Sequence, residues 1–311
     1  MSSGSLVEAA RQSLGPVGAY LPAPFTVTPP VAAQRDAVRR LEAAGYPAAW
    51  VNEPVGGKDP LVQIALLLAA TGRMTFGTGI ANVWARAPQA AHAGAAMLAD
   101  AYPGRVVLGL GVGYPRQAAA VGREFGRPVA VMRDYLERMT APGMTPALEA
   151  PYPRIVAANG PRMLALASEV ADGVLPAGLP PEFTAQVRKT IGPDKLLVIG
   201  LSTITDTTDP DAARAQARQT VVSALGTMAW QAATIARLGY SDQQIAGVSD
   251  DLVSAMVAHG SPDSIAALVS AHHAAGADHV ILMPTLGVGE AGLMTGVDRL
   301  ERLAPAVLPS R

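Results

Sequence analysis

The chain predicts a single-domain (β/α)8 TIM barrel over residues 1–311, with an extra helical insertion before the last strand. Three observations predict it. Short apolar runs alternate with helical patterns eight times, and such alternation builds parallel sheets. The runs are apolar at successive positions, as in Arg105 to Gly113, which marks strands covered on both faces. No linker divides the chain, and the longest inter-strand segment, 207–278, has room for additional helices.

The elements follow in order. Gly15 to Leu21 reads as the first strand, with VGAYL as its apolar run, closed by a loop over 22–30 that holds four prolines. Val31 to Ala44 reads as a helix, with apolar residues at helical spacing and Gly45 where a C-cap belongs. Ala48 to Val51 is strand two, and Pro60 to Ala70 is a helix with Asp59 as N-cap. Met74 to Val83 is strand three, interrupted by Gly77 and Gly79. Pro88 to Tyr102 is an Ala-rich helix that Pro103-Gly104 stops. Strand four, Arg105 to Gly113, leads into a loose stretch over 114–127 with some helix. Val129 to Met139 is helical, and 140–153, with four prolines, is a loop.

Ile155 to Ala158 is strand five, turning at Asn159-Gly160-Pro161 into a helix from Arg162 to Ala171. Gly173 to Pro176 is strand six, Pro181 to Thr190 a helix, and Leu196 to Ile204 strand seven. From Asp209 to about His259 the pattern is helical, broken near Gly239 and Gly247. Ser261-Pro262-Asp263 starts another helix, with Ser as N-cap and Pro at the first helical position. His279 to Met283 is strand eight, and Met294 to Leu303 closes the chain as a helix. A doubly wound dinucleotide fold is the alternative, but it needs GxGxxG at the first strand–helix turn. Here GxGxG falls at the fourth strand, before Tyr114-Pro115-Arg116.

Composition narrows the chemistry. Lys+Arg number 24 and Asp+Glu 25, so no charge excess points to nucleic acid or a membrane surface. There is no cysteine, which excludes disulfides, thiol catalysis and Cys-ligated metals. No run of about 20 apolar residues and no signal-peptide pattern occurs, so the chain reads as cytoplasmic. No GxSxG elbow or P-loop is present, and His272-His273 point about 100° apart on a helix, unlike an i, i+4 zinc pair. His92 and His279 read as structural, and no metal site is expected. Strands three and four both lose bulk at their C-terminal ends, in TGIAN and GLGVG. Glycine there lets a flat ligand come close, at the end where barrel enzymes do chemistry.

The succession TGIANVWAR, helix, YPGR, VLGLGVG resembles the luciferase-like family of flavin and deazaflavin oxidoreductases, in its branch that uses coenzyme F420. The similarity runs from about Val17 to about Leu303. The resemblance implies hydride transfer between F420 and a small organic substrate at the barrel's C-terminal mouth, in a homodimer. It also implies a non-proline cis peptide at Gly79–Ile80, with Ala81, against the cofactor ring. Asn159, Gly160, Pro161 and Arg162 would hold the cofactor phosphate, at a helix start whose free N–H groups suit an anion. Asn52 and Glu53 end strand two, where the family often keeps a polar residue near ring and substrate; Glu53 is a proton-transfer candidate.

Some deazaflavin dehydrogenases of the family carry a glutamate and an asparagine just after strand four. Here Tyr114 and Gln117 stand there, which speaks against sugar-phosphate oxidation and leaves Tyr114 as a weak acid or donor. Trp84 is a candidate wall of the substrate pocket. Arg116, Arg123 and Arg127 are either solvated or, one of them, a contact for the anionic F420 tail. Two other readings stay open: an FMN-dependent monooxygenase on the same fold, and a non-catalytic barrel that only binds the cofactor.

Overall fold

The computed structural model describes residues 3–21, 28–141, 145–146, 148–205, 209–285 and 292–309. The loops expected over 22–30 and 140–153 lie partly outside them. The chain opens with α1 (Ser3–Leu14), followed by β1 (Val17–Tyr20), α2 (Val31–Ala44), β2 (Ala48–Val51) and α3 (Pro60–Leu68). Then come β3 (Thr75–Thr78), β4 (Ala81–Asn82), α4 (Pro88–Ala101), β5 (Val106–Gly111), α5 (Pro115–Ala119) and α6 (Pro128–Met139). The next are β6 (Arg154–Val156), α7 (Pro161–Val170), β7 (Gly173–Val174), α8 (Pro181–Ile191) and β8 (Leu196–Ile204). The insertion holds α9 (Pro210–Thr227), α10 (Ala229–Arg237), α11 (Asp242–Ala246), α12 (Asp250–Met256) and β9 (Val257–His259). The chain ends with α13 (Pro262–Ala274), β10 (His279–Pro284) and α14 (Leu293–Val307).

All strand pairs are parallel, and β10 pairs with both β1 and β8, so the sheet closes into an eight-strand barrel with β3 and β4 sharing one stave. The expected caps are in place: Asp59 accepts from Leu61 and Val62 N–H, Ser261 accepts from Ser264 N–H, and Gly45 takes the left-handed φ of 105°.

Two elements differ from the sequence reading. The N-terminal segment, expected only to lack a signal pattern, forms α1 over Ser3–Leu14. Its Val7, Ala10 and Leu14 plug the N-terminal end of the barrel against Val107, Leu196 and Val198. Arg11 anchors the plug on Asp278 and on the Pro193 carbonyl, at 3.0 and 2.6 Å. Second, residues 257–259 are a strand, not helix. β7 pairs with β8 only at its first two residues, and β9 takes up the free edge beside Ser202–Ile204.

Side chains alternate across each strand. Val17, Ala19, Ala49 and Val51 face the helices, whereas Tyr20, Trp50 and Ile281 face inward. His279, fully buried, lies at the base of this interior. Its Nδ1 donates to the Gly15 carbonyl at 2.7 Å and its Nε2 accepts from Trp50 Nε1 at 3.0 Å, which requires a neutral ring. Burial pushes its pKa down to about 4, against the opposing pull of the Gly15 carbonyl. His272, buried and bonded to Thr184 Oγ1 at 2.9 Å, is also pushed to about 4 by burial.

Both rings therefore titrate lower in the folded chain than the free value of about 6.5. Their contribution is complete above about pH 6.5 and is lost as pH falls toward the folded values, roughly 3 kcal/mol per ring at most. The urea midpoint is expected to start falling near pH 6.5, above the carboxylate range. A midpoint flat from about pH 6.5 to about pH 5 would contradict this account.

Candidate functional site

The strand tips end in a cavity of ≈ 430 Å³ at the C-terminal mouth. Its barrel side is formed by Tyr20, Gly79, Ile80, Asn159 and Leu175. Its other side comes from the insertion, through Val221, Ala224, Met228, Gln231 and Met256. Larger hollows of ≈ 620 and ≈ 840 Å³ lie beside α4 and α6 and at the base near Gly15, away from the strand tips.

The stave bends between β3 and β4. The Gly79–Ile80 peptide is cis, at the bond the resemblance implied. A Cβ on Gly79 would make ordinary contacts with Leu175 at 3.6 Å and Trp50 at 3.7 Å, so a methyl would fit there, and Gly79 lines the cavity. The other glycines in these tips are already filled from within. A Cβ on Gly77 would lie 2.3 Å from the Trp50 ring, one on Gly109 would lie 2.1 Å from the Thr78 carbonyl, and one on Gly111 would lie 2.8 Å from Ile80. The expectation that both tips are thinned for a ligand therefore fails at Gly77, Gly109 and Gly111, and of these four glycines Gly79 is the one in the cavity lining.

Glu53 does not reach the cavity. Its Oε2 accepts from Asn82 N–H at 2.7 Å, and its Oε1 accepts from Arg86 Nη2 at 2.8 Å. Arg86 also reaches Asp59 at 2.8 Å. The Glu53 N–H donates to the Ile80 carbonyl at 3.1 Å, so this residue clamps the bend from behind. Burial raises the Glu53 pKa, and Arg86 and the Asn82 N–H pull it down. Asn82 itself is buried, with Oδ1 accepting from Trp84 N–H and Nδ2 without a partner among the described residues.

Tyr114 borders the cavity, and its hydroxyl donates to Met228 Sδ at 3.3 Å, bridging the α5 loop to the insertion. Gln117 is turned back to accept from the Tyr114 N–H at 2.8 Å. Trp84 does not line this cavity. Its Nε1 donates to the Val112 carbonyl at 2.8 Å and its ring packs on Phe125 at 5.9 Å. Asn52 is half-buried and Ala81 is buried in its pairing with Leu110; neither lines the cavity. Arg116, Arg123 and Arg127 are exposed. His92 is held by Tyr152 at 2.6 Å, a structural contact.

Asn159 faces the cavity with its Oδ1 accepting from Ala177 N–H at 2.7 Å, which leaves the Nδ2 donor for a ligand. Next to it, Gly160, Pro161 and Arg162 are exposed at the start of α7. Among the described residues no protein acceptor meets the N–H of Gly160 or Arg162, as an anion-binding helix start requires.

Two cavity residues escaped the sequence reading. Tyr20 and Gln231 are 6 % and 4 % exposed, and Tyr20 Oη and Gln231 Oε1 are buried with no partner among the described residues. Tyr20 ends a first strand apolar on both faces, so nothing in the pattern shows that it turns inward. Gln231 lies in the insertion, whose docking is non-local.

Comparison with known proteins agrees with this architecture. The chain is 28% identical over 224 residues to the 5,10-methylenetetrahydromethanopterin reductase of Methanolobus tindarius, covering 64% of this chain and 69% of that protein. Other curated matches span about half of their relatives' length, 49% and 47%. Among solved structures, the coenzyme F420-dependent tetrahydromethanopterin reductase of Methanopyrus kandleri superposes with a TM-score of 0.68 at 19% identity, over 96% of this chain and 98% of that one. The oxygenating constituent of 3,6-diketocamphane monooxygenase from Pseudomonas putida, in complex with FMN, superposes at 0.66 and 13% identity, over 95% and 98%. At these identities the two structures share the fold. The family model described as luciferase-like monooxygenase matches residues 9–279, and with its closed barrel the chain belongs to that family.

Proposed function

We propose that this protein is an oxidoreductase that binds coenzyme F420 at the barrel mouth and transfers hydride between it and a small organic substrate. The observation that carries the reading is one cavity with the cis Gly79–Ile80 backbone in its wall and a helix start beside it whose Gly160 and Arg162 N–H groups have no protein acceptor among the described residues. That pairing fits a flat ring joined to a phosphate. The volume falls in the ordinary range for small-molecule sites, roughly 300–1,000 Å³.

When bound, the deazaflavin supplies or accepts the hydride at its C5. The chain's residues do the rest. Gly79 and Ile80 give the ring a backbone surface, Asn159 Nδ2 donates a hydrogen bond, and the N-terminus of α7 with Arg162 holds the phosphate. Glu53 and Arg86 keep the bend in place. Tyr114 spends its hydroxyl on a thioether, a weak acceptor, so a ligand can redirect it. The reading includes a homodimer, supported by exposed Val62 and Met97 on the adjacent α3 and α4; a monomer by light scattering would remove it.

FMN is the second reading, because the same helix start suits its phosphate and one structural neighbour is an FMN complex. Fluorescence titration of the pure protein separates the two. F420 is expected to bind and be quenched, and tight FMN binding with none of F420 would overturn the choice. Arg162→Ala is expected to weaken F420 about tenfold, and to leave a deazaflavin without the phosphate unaffected.

No helix among the described residues is long and apolar enough to cross a membrane.

A further inference from the structure

The cavity carries information about its ligand beyond the cofactor. Among the described residues, not one Asp, Glu, Lys, Arg or His lines it. An ion entering would shed its hydration and find no opposite charge. Yet two of the lining residues each carry a buried polar atom with no partner among the described residues. Tyr20 Oη lies on the barrel side, at the tip of β1, and Gln231 Oε1 lies on the insertion side, in α10. Buried polar atoms are nearly always paired, so each such atom facing a cavity asks for a ligand group.

The two atoms differ in kind. An amide oxygen only accepts, so Gln231 Oε1 calls for an N–H or O–H. Its own Nε2 is turned to Met228 Sδ at 3.6 Å, which holds the oxygen in its present orientation. Tyr20 Oη both donates and accepts. Burial raises its pKa, so the phenol keeps its proton and serves as a donor.

We propose that the insertion side of the mouth selects an uncharged, largely apolar substrate, with Gln231 Oε1 accepting from its N–H or O–H and Tyr20 Oη donating to its carbonyl or hydroxyl oxygen. The inference rests on the proposed oxidoreductase function for calling the ligand a substrate; the selectivity itself rests on Tyr20, Gln231 and the uncharged lining. Met256 and Met228 supply the apolar contact that such a ligand needs.

The test uses cyclohexane derivatives of one size: cyclohexanol, cyclohexanone, methoxycyclohexane, cyclohexanecarboxylate and cyclohexylammonium. Binding is read at the cavity in spectra of protein labelled on the methionine methyls, where Met228, Met256 and Met283 report. Each titration is run with and without F420. The neutral compounds are expected to shift these signals, and the two ions to bind there at least about a hundredfold more weakly. Cyclohexanol is expected to bind about tenfold more tightly than methoxycyclohexane, which lacks the donor. Gln231→Leu is expected to erase that preference, and Tyr20→Phe to weaken cyclohexanone about tenfold.

Tyr20→Phe removes no hydrogen bond among the described residues and Gln231→Leu removes only the long Nε2 contact to Met228 Sδ, so the melting temperature is expected to stay level or rise. A merely structural role would lower it and leave the ligand preferences intact. Equal binding of an ion, an unchanged alcohol-to-ether ratio in Gln231→Leu, or no cavity shift with any neutral compound overturns the proposal. Failure of F420 to bind sinks the proposed function alone, since the selectivity is read without it as well.

Discussion

Replacing Arg86 with methionine is expected to destabilise the fold by about 3–5 kcal/mol near neutral pH. The Glu53 side chain is 3% exposed and that of Arg86 13%, with 2.8 Å between them. Without the guanidinium, the carboxylate keeps only the Asn82 N–H as a donor among the described residues. Removing one member of a buried ion pair costs more than the pair contributes, because the other charge stays in a poor solvent. For a chain of this size the melting temperature is expected to fall by about 10 °C.

The pH dependence follows from the direction of the shift. Burial already raises the Glu53 pKa in the folded chain, and losing Arg86 raises it further. A raised carboxylate means that the folded state takes up the proton more readily than the unfolded one. The penalty is then absent below the unfolded value, about 4.3, and grows as pH rises through the folded value. The difference between Arg86→Met and the parent is expected to shrink from about pH 8 to about pH 5, and adding Glu53→Gln should recover much of the loss. Melting curves of the three proteins at both pH values decide it. A variant within about 1 kcal/mol of the parent at high pH would show that the pair does not hold the bend.

Gly77→Ala is the second substitution with a large expected effect. The new methyl would lie 2.3 and 2.4 Å from two carbons of the Trp50 ring. That ring is fully buried, and its Nε1 is tied to His279, so it has nowhere to turn. Overpacking of this kind costs about 1–3 kcal/mol, and more where neighbours are rigid. Trp50→Phe trims the ring, so the double variant is expected to lose less than the sum of the singles in a urea-unfolding cycle. Simple additivity would mean that the methyl finds room elsewhere. Gly109→Ala is the control without a remedy, because its methyl would press on the Thr78 backbone carbonyl at 2.1 Å.

These two cases show where reading from the chain succeeds and where it stops. The cis peptide at Gly79–Ile80 and the caps at Asp59, Ser261 and Gly45 were all legible. Each depends on a few adjacent residues, or on a resemblance tied to them. Asn159 and Tyr114 were also legible as neighbours of the mouth, because strand ends in a barrel converge there. The role of Glu53 was not. A carboxylate at a strand end looks the same whether it faces a ligand or, as here, an arginine 33 positions further along. The fillings of Gly77 by Trp50 and Gly109 by Thr78 were hidden for the same reason.

The order and type of the elements are written locally, in runs, caps and breaks, and local forces suffice to express them. The direction in which each strand side chain points is not. A strand buried on both faces carries no alternation of polarity, so its sequence is silent on which residues turn inward. Closure of the barrel, with α1 sealing its base and the insertion standing over its mouth, gave Trp50 and His279 to the core and turned Tyr20 toward the cavity.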